Sequence, residues 1–520
     1  MRLFRSVATV GGYTLASRVL GLVRDLMMAG LLGAGPVADA FLVAFRLPNL
    51  FRRMFAEGAF SAAFVPVFAG TLEQEGREAA RRFAEQAMAV LVAALLALTL
   101  LAEIAMPWVI RVLAPGFAGE PEKFGLAVAF SRITFPYLLF TAVMALMAGV
   151  LNGLYRFAAA AAAPIVLNLC MIAALLLLVR PLGSVGLALS WGVAAAGVGQ
   201  CVLLALACRR AGMTLRPTLP RLTPRVRRLL KLMGPGLVGA GVMQLNLLIG
   251  TMIASLLPTG AVSWLYYADR LYQLPLGVVG IAVGTALLPQ LARQLRAGEA
   301  RDAMATTNRA IEIALFLTLP AAAALLAIPG PIIGVLFERG AFEAADTAAT
   351  AAALAAFAAG LPAFVLVKVL APVFFAREDT RTPVLVAAWT VGVNIALSLI
   401  LVWPLEHVGL ALATSLASWF NTAWLALGIR RRGFLVADAR LRARLPRILA
   451  ATAALTAALL LAATGAEGLL QGTTAVRAGT LAAICLGGAV LFFALAHVTG
   501  AMRLGELRLM MRRSAKAAGA

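Results

Sequence analysis

Residues 38–66 read ADAFLVAFRLPNLFRRMFAEGAFSAAFVP, an apolar run that five charged side chains interrupt. A helix needs about 20 mostly apolar residues to cross a bilayer, and this run is long enough. Lipid offers no water to the backbone polar groups, so such a run must be helical. Each charged residue at the bilayer centre costs at least about 2.5–3.5 kcal/mol. The run therefore predicts a membrane helix whose charges are offset by pairing, water or a ligand.

The composition of the whole chain agrees with a membrane protein. Its 520 residues are 62% hydrophobic and only 13% charged, with a mean hydropathy of +0.93. Soluble chains carry about 25% charged residues. A soluble core could not bury this much apolar surface, which excludes a cytosolic enzyme, a disordered chain and a secreted disulfide scaffold. We expect an all-α polytopic membrane protein.

Apolar segments long enough to span a membrane occur about fourteen times. Their centres lie near residues 20, 52, 97, 138, 169, 195, 243, 276, 320, 358, 393, 419, 453 and 488. The first segment resembles a signal peptide, but polar and charged residues follow inside the same run and no cleavage site stands out. We interpret it as a retained first span.

The net charge of +22 is distributed unevenly. If the N-terminus is cytoplasmic, the inner segments hold 32 of the 45 basic residues, the outer loops hold five and the spans hold eight. Basic residues are retained on the inner side of bacterial membranes. We expect both termini to be cytoplasmic, and nucleic acid is not needed to explain the charge.

An internal repeat divides the chain. VPVFAGTLEQEGREA at 65–79 is similar to LPQLARQLRAGEARDA at 288–303, an offset near 223. Six spans per copy make this a parallel repeat, which in transporters places the substrate site between the two lobes. We predict two six-helix lobes, TM1–6 at 1–220 and TM7–12 at 221–433, followed by an appendage, TM13–14 with a basic tail, at 434–520.

The charges predicted inside the membrane gather on few spans. The basic ones are Arg18, Arg24, Arg46, Arg52, Arg53, Arg132, Arg270 and Lys368. Spans 1, 2, 8 and 10 together carry three more basic than acidic residues, whereas a purely structural set would balance near zero. An inward positive excess predicts a cavity for an anion, and the planar guanidinium fork favours phosphate or carboxylate.

The predicted substrate-binding residues follow from this excess. They are Ser17, Arg18, Arg24, Asp25, Asp39, Arg52, Arg53 and Arg270. A structural interpretation stays open for several of them: Arg52 and Arg53 could extend to the interface, and Asp25 and Asp39 could neutralise neighbouring arginines. For Glu312, structural pairing is the favoured interpretation, and for Asn168 it is interhelical hydrogen bonding.

Residues for catalysis or metal binding do not cluster in the sequence. The two histidines, His407 and His497, have no ligand spacing around them, and the four cysteines form no C-x-x-C pair. No phosphate-binding G-x-x-x-x-G-K-[ST] loop occurs. We expect no enzyme activity, no cofactor, no metal site and no ATP hydrolysis.

Five motifs resemble a known family. They are SRVLGLVRD at 17–25, the stretch at 38–66, YADRLYQLPLGVVGIAVGTALLP at 267–289, LFERGAF at 336–342 and AREDTRTP at 376–383. These resemble the MurJ (MviN) lipid II flippases of the multidrug/oligosaccharidyl-lipid/polysaccharide exporter superfamily. The resemblance runs from about residue 1 to 500.

The resemblance implies a function. Members move undecaprenyl-pyrophosphate-linked disaccharide-pentapeptide (lipid II) to the outer leaflet of the bacterial inner membrane, and peptidoglycan synthesis machinery is a further expected partner. It implies that Arg18, Arg24, Arg52 and Arg270 bind the pyrophosphate, that Asp39 is important, and that the last two helices form a groove for the lipid tail. Some members have a cation site, but spans 7, 11 and 12 here carry no acidic residue.

The sequence is compatible with three alternative functions. A flippase for another polyprenyl-pyrophosphate oligosaccharide would use the same arginines. A multidrug antiporter of the same superfamily would use a net acidic cavity, which the arginine excess disfavours. A membrane-embedded glycosyltransferase or lipid-phosphate enzyme would need a carboxylate or histidine cluster at the membrane surface, and the sequence shows none.

Overall fold

The computed structural model describes residues 2–54 and 60–502, without the side chains of residues 2–8, 54, 235–240, 242–243 and 278–286. Within the described residues every regular element is a helix. All fourteen predicted span centres lie inside helices, which confirms the all-α fold. Glu57, one of the five charged residues in the run at 38–66, lies outside the described residues.

The helices follow one another with short connections. The first nine are α1 Arg2–Leu32, α2 Pro36–Met54, α3 Phe60–Leu113, α4 Pro121–Thr134, α5 Tyr137–Gly153, α6 Ala158–Leu177, α7 Val179–Leu182, α8 Val185–Arg210 and α9 Pro224–Ser255. The others are α10 Ala261–Arg296, α11 Ala300–Ala327, α12 Pro329–Phe337, α13 Ala344–Ala358, α14 Leu361–Phe375, α15 Arg381–Arg431, α16 Ala439–Gly465, α17 Glu467–Leu470 and α18 Thr474–Val498. A short 3₁₀ helix, Pro115–Gly119, precedes α4.

Nine helical segments in the described part of the chain are long and apolar enough to cross a membrane. One of them, α15, holds two predicted spans, which are separated by a non-helical residue at Glu406 (φ 48°). Helices α1 and α2 are not among the nine, since each carries at least three described charged residues. The charge that marks the candidate site thus also lowers the hydropathy of the helices that carry it.

The chain divides into two compact units, with the division between Ser263 and Trp264. This division follows packing, whereas the predicted lobe boundary at 220/221 follows the sequence repeat. Helix α9 packs against α3 in the first unit, although by sequence it begins the second copy. The lobe boundary stays a prediction.

Stacked phenylalanine rings form the core of the first unit. Helix α3 breaks at Gly76 (φ 84°), which a residue with a side chain adopts only with strain. The chain then folds back, so that the ring of Phe83 stacks on that of Phe64 with centroids 5.6 Å apart. Phe64 also stacks on Phe60 and Phe68, at 5.2 and 5.6 Å. These rings are fully buried and pack against α5.

The core of the second unit lies among α11, α14 and α15. The C-terminal helices α16 and α18 pack on each other, and α16 also packs on α11. Where α16 begins, the buried carboxylate of Glu312 on α11 accepts hydrogen bonds from Arg440 at 3.2 Å and Arg444 at 2.6 Å, and it pairs with Arg309. This confirms the structural interpretation of Glu312 and explains how the appendage is anchored.

The repeat is visible in the backbone. Left-handed residues (positive φ) recur in the same order in the two copies, at offsets between 221 and 223. The pairs are Gly76 and Gly298, Tyr155 and Glu378, Gly183 and Glu406, and Gly212 and Gly433. Tyr155, Glu378 and Glu406 are the positive-φ residues other than glycine in the described chain, and all three belong to such pairs. Conserved turn geometry therefore supports the repeat independently of apolar sequence similarity.

Hydrogen bonds repeat with the same offset. After α5, Arg156 N–H donates to Leu151 O at 2.8 Å, and after α14, Asp379 N–H donates to Phe374 O at 3.1 Å. Both bonds close the helix C-terminus with the six-residue hydrogen-bonded ring of a Schellman motif. Two turns with the same hydrogen-bond pattern, 223 residues apart, support a repeat of the helical fold.

Candidate functional site

Arg24 on α1 lies in a buried hydrogen-bonding network. Its guanidinium pairs with Asp25 Oδ1 at 2.6 Å and donates to Asn168 Oδ1 at 2.9 Å on α6. The two charged residues are only 5% and 3% exposed. A buried charge is tolerated when a counterion and hydrogen bonds compensate for its lost hydration. In this structure Arg24 and Asp25 neutralise each other, as the structural interpretation of Asp25 expected.

Asn168 extends the network to the other predicted residues of α1. Its Nδ2 donates to the backbone oxygen of Ser17 at 2.9 Å. This agrees with the prediction that Asn168 forms interhelical hydrogen bonds. Arg18, the neighbour of Ser17, is half-buried, and no ion pair between it and the described residues is observed. Of the two site arginines predicted on α1, Arg24 is thus neutralised by a carboxylate, whereas Arg18 is half-buried.

The arginines of α2 become more exposed along the helix. Arg46 is half-buried and donates to Thr251 Oγ1 on α9. Arg52 is also half-buried, and its Nε donates to Asn49 Oδ1 at 3.3 Å. Arg53 is exposed. Thus α2 carries three guanidinium groups whose accessibility increases from Arg46 to Arg53.

Asp39, near the start of α2, is 1% exposed and caps the N-terminus of α10. Its Oδ2 accepts from Gly260 N–H at 2.8 Å, and its Oδ1 accepts from Ser263 N–H at 3.0 Å and Ser263 Oγ at 2.6 Å. A carboxylate at a helix N-terminus satisfies free N–H groups and is stabilised by the helix dipole. The carboxylate oxygens are thus occupied by protein donors, which makes Asp39 a residue that joins helices.

Lys123 on α4 is the cation beside Asp39. Its Nζ lies 3.3 Å from Asp39 Oδ2, and the side chain is 2% exposed. Lys123 is one of the five basic residues that the charge distribution predicts in outer loops, and the sequence does not indicate this ion pair. A single lysine in the first turn of a helix carries no motif, and only the packing of α2 against α4 brings the two charges together.

Arg270 lies in the second unit, on α10. Its guanidinium lies over the ring of Tyr266, 4.6 Å from the centroid, and Nη2 donates to the Tyr266 hydroxyl at 3.1 Å. Residues Asp269 and Gln273, one turn apart, are hydrogen-bonded to each other. Tyr266 thus orients the Arg270 guanidinium, which is half-buried. Lys368, on α14, is exposed.

The structure groups the predicted site residues as follows. Within the first unit, Ser17, Arg24 and Asp25 belong to one network with Asn168, Asp39 belongs to a second network with Lys123, and Arg18, Arg52 and Arg53 remain partly or fully accessible. In the described residues there is no group of three or more His, Cys, Asp or Glu side chains that could hold a metal ion. What the arrangement offers chemically is a set of guanidinium groups suited to an anion.

The repeated helical fold and these arginines define a multi-pass membrane transporter. The family model described as "Lipid II flippase MurJ" matches residues 28–477. The "Probable lipid II flippase MurJ" of Rhizobium meliloti (strain 1021) is 48% identical over 523 aligned residues, which cover 99% of this chain and 98% of that protein. The chain belongs to the lipid II flippase MurJ family.

Solved structures share the fold. "Lipid II flippase MurJ, inward closed conformation" aligns with a TM-score of 0.78 at 23% identity, over 94% of this chain and 98% of that one. An inward-facing multidrug resistance MATE family transporter of the MOP superfamily aligns with a TM-score of 0.68 at 14% identity, over 80% and 95% of the two chains. The polytopic architecture is therefore shared with both groups of transporters.

Proposed function

We propose that this protein moves lipid II, a polyprenyl-pyrophosphate glycolipid, from the inner to the outer leaflet by alternating access. The observation that carries the proposal is membership of the MurJ family over residues 28–477, with arginines at the positions that the family motifs mark. A diphosphate is a dense, oxygen-rich anion, and several guanidinium forks can share it. The same arginines disfavour a cationic drug as the cargo.

The arginines take different parts in this proposal. Arg18, Arg52 and Arg270 are half-buried and bind the diphosphate, and Arg53 attracts it from an exposed position. Arg24 is already paired with Asp25, so it joins the ligand only when the substrate phosphate replaces the carboxylate. Ser17 and Asp25 hold α1 in the conformation that presents Arg18. Asp39 contributes by holding helices together.

The proposal also includes the orientation of the chain, the movement of its lobes and the partner that receives the lipid. We place the protein in the bacterial cytoplasmic membrane with both termini in the cytoplasm, because basic residues dominate the predicted inner segments. The lobes at 1–220 and 221–433 rock about the substrate, and the helices at 434–520 accompany the lipid tail. The protein itself performs no chemical conversion, and peptidoglycan synthesis machinery receives the lipid.

A genetic test addresses the proposal. In a bacterial strain depleted of its own lipid II flippase, the wild-type chain should restore growth, whereas Arg18→Ala and Arg270→Ala should insert at wild-type levels and fail. Arg221→Ala, which removes an exposed arginine from a connecting segment, is the matched control and should restore growth. Full growth with both site substitutions would exclude the proposed diphosphate site. Resistance to cationic dyes on overexpression would favour the antiporter instead.

A further inference from the structure

We propose that Lys123 is a positioning residue of the transport cycle. Its buried ammonium keeps Asp39 against the turn between α9 and α10 (residues 256–260), and that turn is released when the ion pair opens. The proposal rests on the proposed transport function, and it assigns a role to a residue outside the five family motifs.

The ammonium of Lys123 has a full set of partners. Besides Asp39 it donates to Thr259 Oγ1 at 3.0 Å, and it lies 4.4 Å from the centroid of the Phe117 ring. Glu120 Oε1 is 3.5 Å away, but its side chain is 48% exposed, so water screens that contact. Asp39, whose side chain is 1% exposed, is therefore the buried counterion of Lys123.

Burying two charges is expensive. The desolvation penalty is several kcal/mol for each ion, and an apolar pair of similar volume is often as stable or more stable. Removing only one partner is strongly destabilising, because the other charge stays buried without compensation. A buried ion pair is thus weak evidence for a stabilising role, and a role in selecting or switching a conformation explains its presence better.

The ion pair acts on the α9–α10 turn. Asp39 binds Gly260 and Ser263 on one side of the turn. On the other side, Gly116 approaches Ser255 so closely that a Cβ on Gly116 would lie 1.9 Å from Ser255 O. The turn is held at both ends by the first copy of the repeat, although by sequence it belongs to the second copy. Movement of the copies during alternating access would have to break this contact.

The second copy has a different contact at the position that corresponds to Lys123. Helices α4 and α13 begin 223 residues apart, and the position corresponding to Lys123 is Asp346. Asp346 accepts a hydrogen bond from Trp264 Nε1 at 2.9 Å, and the Trp264 ring packs against His407 at 4.9 Å. At this position α13 therefore contacts α10 through a neutral donor. The Lys123–Asp39 pair is a special feature of the first copy.

Cysteine labelling tests the proposal without reference to the lipid carried. Val262, in the first turn of α10, is 1% exposed, and Val262→Cys introduces a smaller side chain there. In protein with the four native cysteines replaced by alanine and held in lipid nanodiscs, we expect Lys123→Met to raise the maleimide labelling rate of this cysteine at least about tenfold, given the cost of an uncompensated buried charge. Lys123→Arg keeps the positive charge in a larger head group, so its labelling rate should lie below that of Lys123→Met.

Two further variants complete the experiment. Arg180→Met removes an exposed basic residue and should label at the parental rate. The double variant Asp39→Asn/Lys123→Met buries neither of the two charges, which keeps it foldable. The amide that replaces the Asp39 carboxylate, however, has one acceptor oxygen, whereas the carboxylate uses two. It should also label faster than the parent. Parental labelling rates in both the single and the double variant would overturn the proposal, whatever lipid the protein moves.

Discussion

Arg24 shows how a site residue can be stabilised before any ligand arrives. Its guanidinium is shared between Asp25 at 2.6 Å and Asn168 at 2.9 Å. Sequence reasoning identified Arg24 and Asp25 as intramembrane charges, because charges in apolar runs are conspicuous. It could not predict the partner of each charge. For Arg24, the carboxylate that is nearest in sequence, Asp25, is also its ion-pair partner. Asp39, in contrast, pairs with Lys123, which lies 84 residues away in the sequence.

Replacing Asn168 tests the network around Arg24. Asn168→Leu should lower the Tm in detergent, because a hydrogen bond to a charged group contributes about 1.5–3 kcal/mol and Arg24 is buried. Asn168→Asp keeps an oxygen for the Arg24 guanidinium and should lower the Tm less. If the Tm of the Asn168→Leu protein equals that of the wild type, the network does not stabilise the packing of α1 against α6.

The carboxylate of Asp379, in the turn before α15, makes contacts whose contribution to stability should depend on pH. Hydrogen bonds from Thr382 and the nearby Arg432 guanidinium lower the pKa of Asp379 to about 2, from an ordinary 3.8. A lowered pKa in the folded state stabilises the fold above pH 3.8, and this stabilisation is lost as the pH falls through about 2. Asp379→Asn should therefore lower the Tm by a constant amount from about pH 5 to 8, and the difference should shrink below about pH 4.

Thermal melts of the two proteins across this pH range check the prediction. Thr382→Val, which removes the hydroxyl that donates to Asp379 at 2.6 Å, should reproduce part of the effect with the same pH dependence. The assigned role of the carboxylate would be contradicted if the Tm difference between wild type and Asp379→Asn were unchanged at pH 2.5. It would also be contradicted if the two proteins had the same Tm at pH 7.

At the scale of helices, the sequence predicts the positions of the helices better than it predicts which helices pack against each other. Apolar length and the need to satisfy backbone groups in lipid make each span helical, so the span centres could be located from sequence. The return of α3 on itself at Gly76 depends on one left-handed residue. The Lys123–Asp39 pair depends on α4 packing beside α2. Neither leaves a periodic pattern in the sequence.

Gly149 on α5 provides a test of the aromatic core. A Cβ at Gly149 would lie 2.7 Å from Cδ1 of Phe64, a ring already stacked on Phe60, Phe68 and Phe83. The ring has no room to move, so Gly149→Ala should destabilise the protein by about 1–3 kcal/mol through overpacking.

Gly125 on α4 is the matched control, because its Cβ would meet nothing within 4 Å. Gly125→Ala should leave the Tm unchanged or raise it slightly, since alanine favours helix more than glycine does. Equal Tm values for the two alanine variants would show that the phenylalanine stack tolerates the extra methyl group.

On the scale of the whole molecule, the repeat is clearer in structure than in sequence. Weak apolar similarity suggested an offset near 223, and the left-handed pairs Tyr155/Glu378 and Gly183/Glu406 reproduce that offset. The copies differ where charge is concerned, since the first copy alone carries the arginines of α1 and α2 and the Lys123–Asp39 pair. A duplicated scaffold with one specialised copy is consistent with a transporter that recognises an asymmetric amphiphile.

The central claim is that this chain moves a polyprenyl-pyrophosphate glycolipid across the bilayer. The most direct measurement is the accessibility of lipid II to an externally added, membrane-impermeant modifying enzyme in vesicles that contain the purified protein, with and without an imposed membrane potential. We predict that the wild-type chain exposes the inner-leaflet lipid II and that the Arg18→Ala/Arg270→Ala protein leaves it protected. Equal exposure by both proteins, or none by the wild type under either condition, would contradict the account.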